Sequence, residues 1–334
     1  MILVTGATGY VGRHVVNILR KFKLDVRALV RKGSEYYWLN DTGCSYFFGD
    51  LRDPESIHRA LRDVRYVVVC SGISVATSEN HHNNMTDEGH AALFAAAQKR
   101  GVERIVLLSC MGAGLDEPVP RFRAQRRAEE QLASSGVDYT ILRACAHEHM
   151  FLDLAWLMAK GSAVRLPELQ DNQLSVIGTT DLALLCAASL DLESTRNQTI
   201  TVGGPTTLSS RAVLQMACET VGTSLQSRPM SASVIAVGSR FGRPVRRYLH
   251  RLAELQVWFS RDLVCDYPTL EQQFGFALKP IAPIMVESNE RIKILRDPEL
   301  RRKQMVHPQF YATIYKPGTA NLNELLDGPS PRRD

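Results

Sequence analysis

Three glycines spaced three apart, Gly6, Gly9 and Gly12, follow directly on the apolar run Ile2–Val4. They precede Val15, Val16, Ile18 and Leu19, which recur at helical intervals. A short buried strand must therefore pass through a glycine turn straight into a helix. That order restricts the chain more than any other feature. Glycines permit the tight turn and let the backbone approach a pyrophosphate. The helix N-terminus behind them offers unpaired N–H groups and the positive end of its dipole. Thr8, Tyr10 and Val11 share this turn and belong with the glycines as candidate cofactor-binding residues.

The next hundred residues alternate strand and helix. Strands are expected at 26–30, 45–48, 66–70 and 105–109. Helices are expected at 11–22, near 36–40, at 54–61 and at 86–99. Continuous β-branched strands separated by helices mean a parallel sheet covered on both faces. A helix at 122–135 ending at Gly136, a strand at 139–142 and a helix at 150–160 continue the pattern. A short strand at 174–177, helix 180–190, strand 199–202 and helix 209–221 follow. The fold class is α/β: a doubly wound parallel-sheet Rossmann domain with a helical C-terminal extension. The boundary is expected at 225, giving a nucleotide-binding domain 1–225 and a mainly helical region and tail 226–334, in which strand patterning disappears.

With 334 residues, 45% of them hydrophobic, the chain can bury a large core. No apolar run reaches the roughly 18 residues of a membrane-spanning helix. Met1 opens directly on a strand, so no signal peptide is expected. The seven cysteines form no CxxC pair and fit small buried residues in a reducing compartment. A cytoplasmic location, or one peripheral to a membrane on a reducing side, is expected. A net charge of +5 is too mild to call for nucleic acid. That charge is concentrated: seven arginines against Glu254 and Asp262 lie between Arg228 and Asp262. Apolar Val245, Leu249, Leu252, Leu255 and Trp258 are interleaved with them. The Arg240–Arg251 region reads either as a solvated lid helix or as a surface for an acidic protein partner or an anionic membrane.

Ligands of such sheets lie beyond the strand C-termini. After the second strand, NAD-selective sites carry a carboxylate for the ribose 2′-hydroxyl. Here Arg31 and Lys32 stand instead, which suits a 2′-phosphate and so NADP(H) rather than NAD(H). Asp50 and Leu51, after the third strand, are expected at the adenine edge. Ser71 and Gly72, after the fourth, are placed for the middle of the cofactor. Ser109 ends the fifth, beside the nicotinamide position.

These segments resemble the NmrA-like branch of the atypical short-chain dehydrogenase/reductase superfamily. The resemblance rests on TGATGYVG at 5–12, ALVRK at 28–32, GDLRD at 49–53, VERIVLLS at 102–109, SSGVDYTILR at 134–143 and ITVGGP at 200–205. It implies a Rossmann fold and a nicotinamide dinucleotide. The family includes reductases, redox-sensing regulators and non-catalytic assembly subunits. Its carbonyl reductases use Tyr-x-x-x-Lys, the Tyr as proton donor and the Lys to lower its pKa. Family spacing places those positions at Arg121 and Gln125, neither of which can play its part in that mechanism.

His147-Glu148-His149 follows the sixth strand, where the family's substrate pocket begins. His147 is the candidate replacement acid. The i, i+2 spacing of the two histidines does not suit a helical metal pair, and no metal is expected. His81, His82 and His90 read as loop and helix-surface residues. Two functions follow. One is an NADP(H)-dependent oxidoreductase acting on a small carbonyl or activated double bond. The other is a non-catalytic NADPH-binding assembly factor, or a redox-sensing accessory subunit of a photosynthetic or respiratory membrane complex. The sequence leaves open whether the chain is an enzyme.

Overall fold

The computed structural model describes residues 1–71, 88–114, 119–161, 164–230, 252 and 255–296. Its centre is a seven-stranded sheet. The strands are β1 (Ile2–Thr5), β2 (Val26–Val30), β3 (Ser45–Phe48), β4 (Tyr66–Val69), β5 (Arg104–Cys110), β6 (Asp138–Ala144) and, further along the chain, β9 (Gln198–Val202). The order is β3-β2-β1-β4-β5-β6-β9 and every pairing is parallel. This is the doubly wound Rossmann arrangement, with its switch point between β1 and β4.

Alternation along each strand builds the two layers. Val4, Val30, Val68, Val106 and Leu108 enter one apolar cluster, which includes Val15, Val16 and Leu19 of helix α1 (Tyr10–Lys21). Leu182 and Leu185 of a later helix, α6 (Thr179–Ala188), close the same layer. Leu3, Leu29, Val67, Val69, Ile105 and Leu107 face the other way. There they meet α2 (Pro54–Ala60), α3 (Gly89–Lys99) and α4 (Pro120–Ala133). Each fully buried Val or Leu contributes about 1.5–3 kcal/mol, so the alternation itself fixes which face each helix covers.

A third cluster joins the far end of the sheet to the C-terminal region. It draws on α5 (Glu148–Ala159) and α7 (Ser210–Val221). From beyond 225 it takes Val257, Trp258, Phe259, and Ile281, Ile284, Met285 and Ile292 of α9 (Ile281–Arg296). Between them lies α8 (Tyr267–Phe274). Residues on both sides of the expected boundary thus share one core.

Three differences from the sequence expectation have local causes. The segment near 36–40 is a 3-10 turn, Tyr37–Thr42, closed by left-handed Gly43; it is too short to propagate an α-helix. Strand structure does not stop at 226: β11 (Ser227–Met230) pairs in parallel with β7 (Val164–Pro167). Both contain proline and lack alternation, so neither announces itself. β10 (Thr207–Ser209) pairs antiparallel with β8 (Gln173–Ser175). The cysteines follow the expectation: all seven are free, six are buried and Cys44 is half-buried. No helix among the described residues is long and apolar enough to cross a membrane.

Candidate functional site

The glycine turn is held by its own close packing. Gly6 adopts φ +66°, and its carbonyl accepts the Gly9 N–H at 2.9 Å. A Cβ at Gly6 would lie 2.7 Å from the Cys70–Ser71 backbone, and one at Gly12 would lie 2.1 Å from the Gly6 carbonyl oxygen. Both positions therefore need glycine, as a strand-to-helix crossing this tight requires. Helix α1 starts after Gly9 with no side-chain cap. Its first N–H groups are left for an anion, which is the arrangement a pyrophosphate fits.

The adenosine end is basic. Arg31 and Lys32 are exposed at the end of β2. Asp50 does not point freely at this space: Arg52 grips its carboxylate at 2.6 and 3.0 Å and also donates its backbone N–H at 2.9 Å. The Arg52 hydrogen bond holds the Asp50 carboxyl below its usual range. Leu51, expected at the adenine edge, buries its side chain in the layer under α2 and α3. Ser71 connects two strands to a helix, since its hydroxyl hydrogen-bonds Thr5 Oγ1 at 2.9 Å and His90 Nε2 at 3.2 Å. His90 is thus not a surface residue, as its sequence position suggested, but fully buried on α3 and stacked on Phe94. The small residues of that helix, Ala91, Ala92, Ala96 and Ala97, allow the close approach that buries it. Gly72, His81 and His82 lie outside the described residues, as does the Arg240–Arg251 region.

At the nicotinamide end, the Ser109 hydroxyl donates to Glu129 at 2.5 Å and is buried under α4. The Ser109 hydroxyl is thereby committed to Glu129. Glu129 also takes Arg143 in a two-pronged pair at 3.0 and 2.6 Å, and Arg126 at 3.2 Å. The buried carboxylate is thereby compensated. Gln125 is buried as well, and its amide donates to the Leu108 carbonyl at 3.2 Å. It braces α4 against β5 instead of standing free for a ribose. Arg121 lies half-buried one turn earlier and acts electrostatically on His147.

His147 caps α5 from the extended region, at φ −115°. Burial, with His149 and Arg121 adding to it, pushes its imidazole down to about 3. The imidazolium form is therefore disfavoured at physiological pH, and the candidate acid of the sequence is a neutral ring with a single N–H. Its Nδ1 has no hydrogen-bond partner among the described residues. His149 pairs with Asp153 at 3.2 Å and stacks on Tyr10 with centroids 3.5 Å apart. Glu148 between them is buried, and burial raises its pKa. No cluster of three or more His, Cys, Asp or Glu side chains suited to a metal occurs among the described residues.

How the first turn of α1 is held was not legible from the sequence. The Tyr10 hydroxyl donates to Glu148 Oε1 at 3.4 Å. The Tyr10 carbonyl accepts from His14 Nδ1 at 2.7 Å. Glu148 lies 138 residues from Tyr10, so no local pattern would have revealed this link.

Known proteins give a consistent picture. A family model described as NAD(P)H-binding matches residues 6–149. The chain is 30% identical over 213 residues to an NAD(P)H azoreductase of Xenophilus azovorans, a stretch covering 64% of this chain and 71% of that protein. It is 28% identical over 218 residues to the photosystem II assembly factor Ycf39 of Cyanophora paradoxa, covering 65% and 67%. Among solved structures it is similar to the NADPH complex of the quinone oxidoreductase QOR2 of Escherichia coli. There the TM-score is 0.67 and the identity 21%, over 88% of this chain and all of the other. That last likeness speaks for the fold alone.

Proposed function

The chain belongs to the NmrA-like branch of the NAD(P)H-binding, short-chain dehydrogenase/reductase-like Rossmann proteins, and on that premise we propose that it binds NADP(H) in preference to NAD(H) and reduces an electron-poor carbonyl or conjugated double bond. The observation that carries the cofactor preference is the exposed pair Arg31 and Lys32, which stand at the end of β2 where NAD-selective sites carry a carboxylate. Gly6, Thr8, Gly9, Tyr10, Val11 and Gly12 hold the pyrophosphate. Arg31 and Lys32 hold the ribose phosphate, Asp50 and Leu51 line the adenine edge with their backbone, and Ser71, Gly72 and Ser109 follow the cofactor towards its reactive end. When bound, the dinucleotide supplies a hydride.

The chain's own groups limit the acceptor. Arg121 and Gln125 replace the proton donor and its lysine, and His147, held neutral by burial, offers at most the weakly acidic N–H of an uncharged imidazole. An acceptor whose hydride adduct is stabilised by conjugation, a quinone or an enone, needs no strong acid and takes its proton from water. Titration with NADPH and NADH tests the first part. Arg31→Ala with Lys32→Ala is expected to weaken NADPH about 10- to 100-fold, for two lost charge-assisted contacts, and to leave NADH unchanged. Equal losses for both nucleotides would remove the basis of the preference. Turnover against a panel of quinones, enones and azo compounds tests the second part.

The substitution of both catalytic positions supports a second reading, in which cofactor is bound without turnover. The chain would then act as an assembly factor or redox-reporting accessory subunit of a photosynthetic or respiratory complex. Its basic 240–251 region would dock on a protein partner or an anionic membrane surface, on a reducing side. The similarity to an assembly factor is in keeping with this. Tight NADPH binding, no turnover and co-sedimentation with anionic vesicles would select it; turnover without vesicle binding would reject it.

A further inference from the structure

Both polar groups of Tyr10, the first residue of α1, are held through one intermediary each by the same face of α9. On the side-chain path, the phenol donates to Glu148 Oε1, and that oxygen also accepts from Ser288 at 2.9 Å. Glu148 Oε2 is fixed in turn by the backbone N–H and hydroxyl of Thr179, at 2.9 and 2.8 Å, where α6 begins. On the backbone path, His14 Nδ1 meets the Tyr10 carbonyl at 2.7 Å, and His14 Nε2 meets Arg291 Nη1 at 3.1 Å. A guanidinium only donates, so Nε2 must accept and Nδ1 must carry the proton that goes to the Tyr10 carbonyl. Burial, with Arg13 and Arg291 nearby, keeps His14 neutral and so preserves this tautomer. Arg291 also reaches Thr180 Oγ1 at 3.4 Å and Glu287 at 3.8 Å. Ser288 and Arg291 are three residues apart and lie on one face of the helix.

The Tyr10 carbonyl belongs to the same peptide unit as the Val11 N–H. That N–H is one of the first-turn donors that have no acceptor within the helix itself. Fixing the carbonyl fixes the direction of that donor, and a hydrogen bond to the oxygen polarises it. From this geometry we propose that Ser288 and Arg291 of the C-terminal helix are positioning residues for the dinucleotide turn, so that cofactor affinity depends on how α9 is docked. The proposal rests on the NAD(P)H-binding reading of the turn. Because coupling between two sites is reciprocal, a bound cofactor stabilises α9 by the same factor by which a docked α9 tightens the cofactor.

Two measurements on the full chain test this. The first is NADPH affinity, by nucleotide fluorescence, for the wild type, Ser288→Ala, Ser288→Thr, Arg291→Ala and Arg291→Lys. Val286→Ser serves as an exposed control on the same helix. The two alanine variants are expected to weaken NADPH about 5- to 50-fold, a coupling of ordinary size. Ser288→Thr should recover most of the loss, and Val286→Ser should match the wild type. A purely structural role would lower the melting temperature and leave the affinity of the folded protein unchanged. The second is hydrogen exchange on the wild type, which needs no variant to fold. Saturating NADPH is expected to slow exchange across 281–296 as well as in the first turn of α1. Protection of α1 alone, or alanine variants within two-fold of wild-type affinity, would overturn the proposal and leave the cofactor reading standing. No NADPH binding by the wild type would overturn both.

Discussion

Asp181 lies in the first turn of α6, 3% exposed, and its carboxylate accepts the Lys279 N–H at 2.8 Å. Burial is the largest influence on it and raises its pKa to about 6. An acid whose folded pKa exceeds its unfolded value holds extra protons in the folded state between the two. Its contribution to stability is therefore greatest below pH 4 and falls as pH rises through 6. At neutral pH the penalty is at most about 3 kcal/mol. Asp181→Asn keeps an oxygen for Lys279. It is expected to melt higher than the wild type at pH 7.5, with the advantage vanishing below pH 4; thermal melts across that range measure it, and a lower melting temperature at pH 7.5 would contradict the assignment. His147 shows the same lesson in a base. The sequence marks it as a histidine after the sixth strand, but its charge is set by burial, which only neighbouring atoms decide.

Among the elements, the order β1–turn–α1 was legible, because glycine spacing, strand run and helical period are all local. The structure adds the reason for two of its glycines. The nearest atoms to a Cβ at Gly12 are backbone atoms of Gly6 and Ala7, which cannot rotate away. Gly12→Ala is expected to cost about 3 kcal/mol or more and to abolish dinucleotide binding, measured by denaturant unfolding and NADPH titration. Near-wild-type stability would mean that the crossing relaxes more easily than its packing implies. Helix α4 was less legible. Its position and length follow from its period and from Gly136, and the replacement of Tyr and Lys at 121 and 125 is visible by counting. What those residues do instead is not. Gln125 bonding to Leu108, and Glu129 collecting Ser109, Arg143 and Arg126, depend on how deep α4 sits on β5 and β6.

For the whole molecule, the apolar cluster around Phe151, Leu214, Phe259 and Met285 spans the expected boundary at 225. A chain ending there would leave the inner faces of α5 and α7 open and would cut the links from α9 to Tyr10 and His14. Expressed alone, residues 1–225 are expected to aggregate or to bind hydrophobic dyes, and to bind NADPH more weakly than the full chain. A monomeric fragment with full NADPH affinity would show that the C-terminal region is an independent appendage. It would also speak against Ser288 and Arg291 as positioning residues.

By itself the sequence determined the alternation of strands and helices that makes a parallel Rossmann core, the place of the dinucleotide turn, the basic adenosine end and the loss of the usual catalytic pair. All of these are written in spacings of a few residues or in continuous apolar runs. Tertiary structure alone decided that His90 is buried, that the Ser109 hydroxyl is committed to Glu129, that His147 is neutral, and that Tyr10 is held from α9. Each depends on exclusion of water and on contacts between distant segments, such as the 20 residues from Ser109 to Glu129 and the 277 from His14 to Arg291. No local period encodes either.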